Sequence, residues 1–236
     1  MRRGFTLTDV LVTMAVMAVL LSLLLPSLKT VRETARQVVC RSNVHQLGLG
    51  LYQYAESNSD RIPPTIYVDE FSSANPWRTM TLHMQNGGWD GIGHLYQDEY
   101  MPAPKIFYCP SHHGNYPYLN YEDCWGGQQG EIVGNFQYRW KGPSASDPPG
   151  GPVHKTEFLS AMRPGTALLV DGFRTQSDFN HETGANVFRA DNSVSWFSDT
   201  GGVLMSQIPK TNGDNASFAP LILLDEIWSE LDNGPR

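Results

Sequence analysis

The side chains best suited to chemistry in this sequence are His181 and Asp191, separated by nine residues. A histidine and a carboxylate can share a proton or hold a metal ion, and a serine with His181 and Asp171 would complete a hydrolytic triad. No Gly-x-Ser-x-Gly turn is present to present that serine. His112 and His113 are adjacent, and adjacent side chains on a strand point apart, which makes joint ligation awkward. Neither His-Glu-x-x-His nor paired Cys-x-x-Cys occurs. Gly88-Trp89-Asp90-Gly91-Ile92-Gly93 lacks the Gly-Lys-Ser/Thr ending of a nucleotide loop. Asn212-Gly213-Asp214-Asn215 offers hard oxygen ligands for calcium, but at no fixed loop spacing, and reads first as a turn. The expectation is therefore no enzyme, no catalytic residue, no metal site and no cofactor, calcium being the only ion with any claim. His181 is expected to bond backbone or Asp191 and so fix the loop entering a hairpin.

The elements that would position these residues begin with the first 28. Arg2, Arg3 and Gly4 precede an apolar run that contains one acid, Asp9. From Phe5 to Leu25 a helix would be about 31 Å long, against about 30 Å for a hydrocarbon core. The run is too long for a signal-peptide centre and no small-x-small cleavage site follows it. An acid inside a membrane helix is costly and requires a partner. Basic residues lie on both sides of the run, Arg2 and Arg3 before it, Lys29, Arg32, Arg36 and Arg41 after it, so charge bias does not orient it.

Gly4-Phe5-Thr6-Leu7-Thr8-Asp9 followed by an apolar helix resembles the start of type IV prepilins and type II secretion pseudopilins. The resemblance implies cleavage between Gly4 and Phe5 by a membrane peptidase, N-methylation of Phe5 and pairing of the acid with the terminal amine of a neighbouring subunit. In that family the acid is normally glutamate; Asp9 keeps the charge with one methylene less. Cys40-Arg41-Ser42-Asn43, Cys109-Pro110-Ser111, and His181 nine residues before Asp191-Asn192 resemble a bacterial, planctomycete-like branch of pseudopilin-like proteins. There the last element is His, nine residues, Asp-Gly; Asn192 stands for the glycine and tolerates the same left-handed turn.

Beyond Pro26, which is expected to kink the helix near the membrane surface, Val31, Ala35, Val38, Cys40, Val44, Leu47, Leu51 and Tyr54 recur at three- and four-residue steps. Gly48 and Gly50 sit in this stretch, where their use is close approach of a sheet or local flexibility. Ser57 to Asp60 and Ile62-Pro63-Pro64 end the helix. Residues 65–104 read as a long connection with short elements. Lys105–Cys109 reads as a short strand, Glu131–Trp140 as a strand and Lys141–Pro152 as a loop. Ala167–Val170 is a buried strand, Asn186–Ala190 and Ser193–Phe197 a hairpin about Asp191-Asn192, and Leu221, Leu224, Ile227, Trp228 and Leu231 a short amphipathic helix.

The 236 residues carry a net charge of −7, or −9 once Arg2 and Arg3 are lost with the leader, and mean hydropathy is −0.34. The part beyond the apolar run is thus polar and acidic, and nucleic acid is not an expected partner. Three cysteines allow at most one disulfide. Cys109 with Cys124 would close a loop of about 15 residues, worth roughly 3 kcal/mol; Cys40 with Cys109 is the alternative.

The expected fold is α+β and pilin-like, a long membrane-spanning N-terminal helix packed on a mainly antiparallel sheet. Residues 1–4 are the leader, 5–28 the transmembrane and assembly helix with Pro26 at its end, 29–58 its soluble half, and 59–236 a β-rich head with a hairpin at 186–197. The expected function is a structural subunit of a type II secretion pseudopilus or type IV pilus-like fibre. Its partners would be copies of itself or other pilin-like subunits, the prepilin peptidase/methyltransferase and the membrane. Its place would be the bacterial inner membrane, single-pass, with the head in the periplasm or at the cell surface. The alternative is a membrane-tethered surface protein whose six tryptophans and ten tyrosines stack on a glycan or other solute.

Overall fold

The structure, a computed structural model, describes residues 6–68, 76–85, 87–126, 130–147, 154–181, 183–210 and 220–234. Gly4, Phe5 and the Asn212–Asn215 turn lie outside them.

Helix α1 (Leu7–Ser57) is one element of 51 residues, about 76 Å long, and runs without a break across Pro26. It starts with a reciprocal cap. The Thr6 amide donates to Asp9 Oδ2 at 2.9 Å, and the Asp9 amide donates to Thr6 Oγ1 at 3.3 Å, which satisfies two of the donors a helix start leaves open. The apolar half of α1 is long enough to cross a membrane, and its described side chains are exposed. Burial starts at Cys40 and continues through Val44, Leu47, Leu51, Tyr54 and Ala55. Val31 and Val38, expected on the same apolar face, are exposed. The head touches the helix as far up as Glu33, but on the side that carries Glu33 and Cys40, and these valines face away from it. The chain leaves α1 through Ser59 and Asp60, both at positive φ. Asp60 holds that turn by accepting from the Ser160 amide and hydroxyl.

The head is irregular before residue 130 and regular after it. Strand β1 (Thr81–His83) pairs with β2 (Ile132–Val133), and α2 (His94–Gln97) sits between them in the chain. Lys105–Cys109 is not the expected short strand; Pro104–Phe107 is a 3-10 turn with proline in its first positions. The Glu131–Trp140 run is two strands, β2 and β3 (Phe136–Tyr138), divided at Gly134-Asn135. The expected loop after Lys141 opens with a short strand, β4 (Gly142–Pro143), paired with β5 (Lys155–Thr156).

The central sheet is antiparallel in the order β3, β6 (Ala167–Asp171), β7 (Gly184–Arg189), β8 (Val194–Ser198). The β7–β8 hairpin turns at Asn192, φ 65°, as the turn dipeptide predicted. One face of the sheet, with Leu169 and Phe188, meets α1; the other, with Val170, Ala185 and Val187, meets α3 (Val203–Gln207) and α4 (Pro220–Asn233) through Leu204, Ile227, Trp228 and Leu231. The fold is thus α+β, with the sheet between the long helix and the C-terminal one. Gly48 has a packing reason: a Cβ there would overlap the Phe188 ring.

Candidate functional site

The site is built where α1 crosses the end of β6. Period-2 alternation sends Val170 to the α4 face and Leu169 and Asp171 to the α1 face. Asp171 thus arrives beneath Cys40, at the first buried turn of α1. The loop after the Pro104–Phe107 turn delivers Cys109, and the segment entering β7 delivers His181. Cys40, Cys109, Asp171 and His181 are all nearly or fully enclosed, at 0, 4, 0 and 1 % exposure. Their ligating atoms lie within 4.8 Å of one another. The Cys40 thiol donates to Asp171 Oδ1 at 2.7 Å, although the two residues are 131 apart in sequence. His181 Nε2 lies 3.6 Å from Cys109 Sγ and 3.7 Å from Asp171 Oδ2.

A second layer holds these groups in place. His181 Nδ1 bonds Glu33 Oε1 at 2.8 Å, and the Ser111 hydroxyl donates to both oxygens of the same carboxylate. Asp171 Oδ2 accepts from the Asn186 amide and side chain, and Asp171 Oδ1 from Asn180 at 3.4 Å. Asn180 also accepts from His112 Nδ1 at 2.8 Å. Asn135 accepts from the Cys109 amide, and its own carbonyl receives Asn180. Buried polar groups require partners, and in this pocket they serve each other.

The charges follow from that geometry. Burial works against a charge on His181, but its contacts with Cys109, Asp171 and Glu33 outweigh it and raise its pKa to about 9. Burial also opposes a thiolate at Cys109, and there Cys40 and His181 prevail, so its pKa is lowered. Cys40 moves the other way: burial first, then Cys109 and Asp171, push its thiol up. The pocket therefore favours a proton on His181 and on Cys40 over one on Cys109. The sulfurs are enclosed and face the other ligating groups of the pocket rather than solvent. Glu33 reaches the surface at a cleft of about 570 Å³ between α1 and the head, which Ser111 and Asn180 also line and Lys29, Arg32 and Arg36 rim.

Two sequence expectations are corrected here. His181 does not pair with Asp191. Asp191 Oδ1 accepts from the Ser193 amide and hydroxyl inside the hairpin turn, while His181 turns inward to Asp171 and Glu33. Cys109 and Cys124 form no disulfide; all three cysteines are free thiols, and Cys109 faces Cys40 while Cys124 stands half-buried elsewhere. Asp9 is placed as the helix-capping acid, remote from this pocket.

The pocket is not legible in the sequence because its members come from four distant segments. A signal existed: Cys40, Cys109 and His181 each head one of the three segments singled out by resemblance, and those segments converge. The aromatic side chains are similarly explained. Trp125 is surrounded by Phe107, Tyr108, Tyr96 and Trp89, and Trp228 meets Phe173 edge to face; these rings are core.

A family model described as SBP_bac_10, protein of unknown function (DUF1559), matches residues 29–146, half of the chain, and so spans Glu33, Cys40 and Cys109. No curated protein and no solved structure matches.

Proposed function

Since the chain belongs to the SBP_bac_10 family of proteins of unknown function (DUF1559), we propose that it is a pilin-like structural subunit, anchored in a membrane and assembled through the exposed half of α1. The observation that carries this reading is the division of one helix. Its lower half is packed on the head, whereas Leu11, Met14, Leu20, Leu21, Leu23 and Leu28 in its upper half are 47–71 % exposed. An apolar stripe of that length has to be covered by lipid or by other helices.

In the assembly reading the chain is cut between Gly4 and Phe5, Phe5 is N-methylated, and the head stands outside the cytoplasmic membrane. Removal of residues 1–4 leaves a new amine one residue before Thr6. Asp9, already drawn toward the helix start by the Thr6 amide, is the acid nearest to such an amine on a neighbouring helix. A charge pair formed in that low-dielectric bundle would select for axial register, because a mismatched neighbour would leave the acid unpaired. Val31 and Val38, exposed on the isolated chain, supply further contact surface on the outer side of α1.

Intact-mass measurement of the mature N-terminus, with fractionation of sheared surface filaments, tests the proposal. A mass matching loss of residues 1–4 plus one methyl group, recovered in the filament fraction, is the expected result. Recovery only as an uncut, dispersed membrane monomer would overturn it.

A further inference from the structure

We propose that Cys40, Cys109, Asp171 and His181 form a structural binding site for a zinc-class divalent transition metal, which fastens α1 to the head. The donor set is two sulfurs, one imidazole nitrogen and one carboxylate oxygen, all enclosed. Thiolate and imidazole select borderline-soft metals, and hard cations such as calcium and magnesium prefer oxygen alone.

The distances suit a tetrahedral ion. With metal–ligand bonds of about 2.0–2.3 Å, the ligand atoms of such a site stand roughly 3.3–3.8 Å apart. Cys109 to His181 at 3.6 Å and His181 to Asp171 at 3.7 Å already match. The Cys40–Asp171 pair, at 2.7 Å, would open by about an ångström as the ion replaces their hydrogen bond.

The outer contacts point the same way. A metal-bound histidine characteristically gives its other ring nitrogen to a carboxylate, which fixes the ring and its tautomer. Glu33 does this for His181, bonding Nδ1 and leaving Nε2 aimed at the sulfurs. Asp171 is steadied by Asn186 and Asn180 in the manner of a ligating carboxylate. A Cys40–Cys109 disulfide would account for neither arrangement. With no open position on the ion, its role is to hold segments together: the first buried turn of α1, the loop at Cys109, the end of β6 and the entry to β7. The inference stands independently of assembly into a fibre.

The test uses the full-length chain, purified in detergent, kept reduced, stripped with a chelator and titrated with cobalt(II). The expected result is saturation at one ion per chain, with visible bands of tetrahedral cobalt and a near-ultraviolet sulfur-to-cobalt band, both abolished by zinc. Glu33→Gln keeps all four ligands and should weaken binding about 10–100-fold while leaving the far-ultraviolet circular dichroism unchanged. Cys109→Ser should remove much of the sulfur-to-cobalt band. A featureless titration of the folded wild-type chain would overturn the proposal. So would recovery of a Cys40–Cys109 disulfide, with no bound metal, from chain isolated without reductant.

Discussion

His181, in the last third of the chain, bonds Glu33 of α1 at 2.8 Å and thereby ties the head to the helix just above its first buried turn. The bond spans 148 positions of sequence. It marks where the helix stops belonging to the head and becomes free.

Loss of this clip should loosen the junction more than the head. Hydrogen bonds to charged groups contribute about 1.5–3 kcal/mol, and the partly exposed Glu33 carboxylate puts this one near 1 kcal/mol. Glu33→Ala should lower unfolding stability by that amount and accelerate hydrogen exchange in residues 33–40 before the central sheet. Unchanged exchange there would show that the clip is dispensable.

Gly48 lets Phe188 of β7 lie against the helix. Alanine would gain about 1 kcal/mol of helix propensity but would force the ring or the backbone to move, at about 1–3 kcal/mol for overpacking. Gly48→Ala should be net destabilising in urea unfolding. Combining it with Phe188→Leu should cost less than the two single losses added together, the non-additivity expected of touching residues.

His112 supplies a pH dependence. The Tyr116 amide donates to its Nε2 at 3.3 Å, so this nitrogen accepts and the ring is neutral, with Nδ1 donating to Asn180. Asp178 stands 4.0 Å from Nε2, too far for a hydrogen bond. Burial leads in holding the pKa below 6.5, and neighbouring His113 adds to it, against Asn180 and Asp178. The unfolded chain takes up this proton more readily, so the stabilisation is full above pH 6.5 and is lost as pH falls. Urea midpoints of wild type and His112→Gln should therefore converge between about pH 7.5 and about pH 5.5; a constant gap would refute the assignment.

The cysteines should differ in reactivity. Cys124 is half-buried, whereas Cys40 and Cys109 are enclosed. A thiol reagent applied to the native, reduced chain should label Cys124 first, and the other two only after unfolding. Mass mapping of the labelled peptides reads this out. Early labelling of Cys109 would contradict the enclosed pocket.

Asp9 is both the cap of α1 and the acid assigned to assembly. Asp9→Ala should abolish recovery in the filament fraction, whereas Asp9→Glu should retain it. If Asp9→Ala assembles as well as the parent, the acid has no role beyond helix capping.

What could be read from sequence was local. Apolar periodicity, a spaced acid and terminating prolines define α1 almost to its ends, and turn chemistry at Asp191-Asn192 defines the β7–β8 hairpin. The alternation of 131–140 locates strand material but not its division, since Gly134-Asn135 breaks the ladder only when Asn135 turns to bond Cys109 and Asn180. The pairing of His181 was beyond local reasoning: Asp191 is nearer in the chain, but the hairpin consumes it, and the partners that matter arrive from α1 and β6. The same holds for Cys109, whose sequence neighbour is Cys124 and whose spatial neighbours are Cys40 and His181. Residue types and short-range spacing determined the helix, the hairpin and the membrane-length apolar run, because those depend on interactions within a few positions. Only the tertiary structure decided which buried polar groups meet, because each must find a partner wherever packing brings one, and the four that share this pocket come from one helix, one strand and two loops.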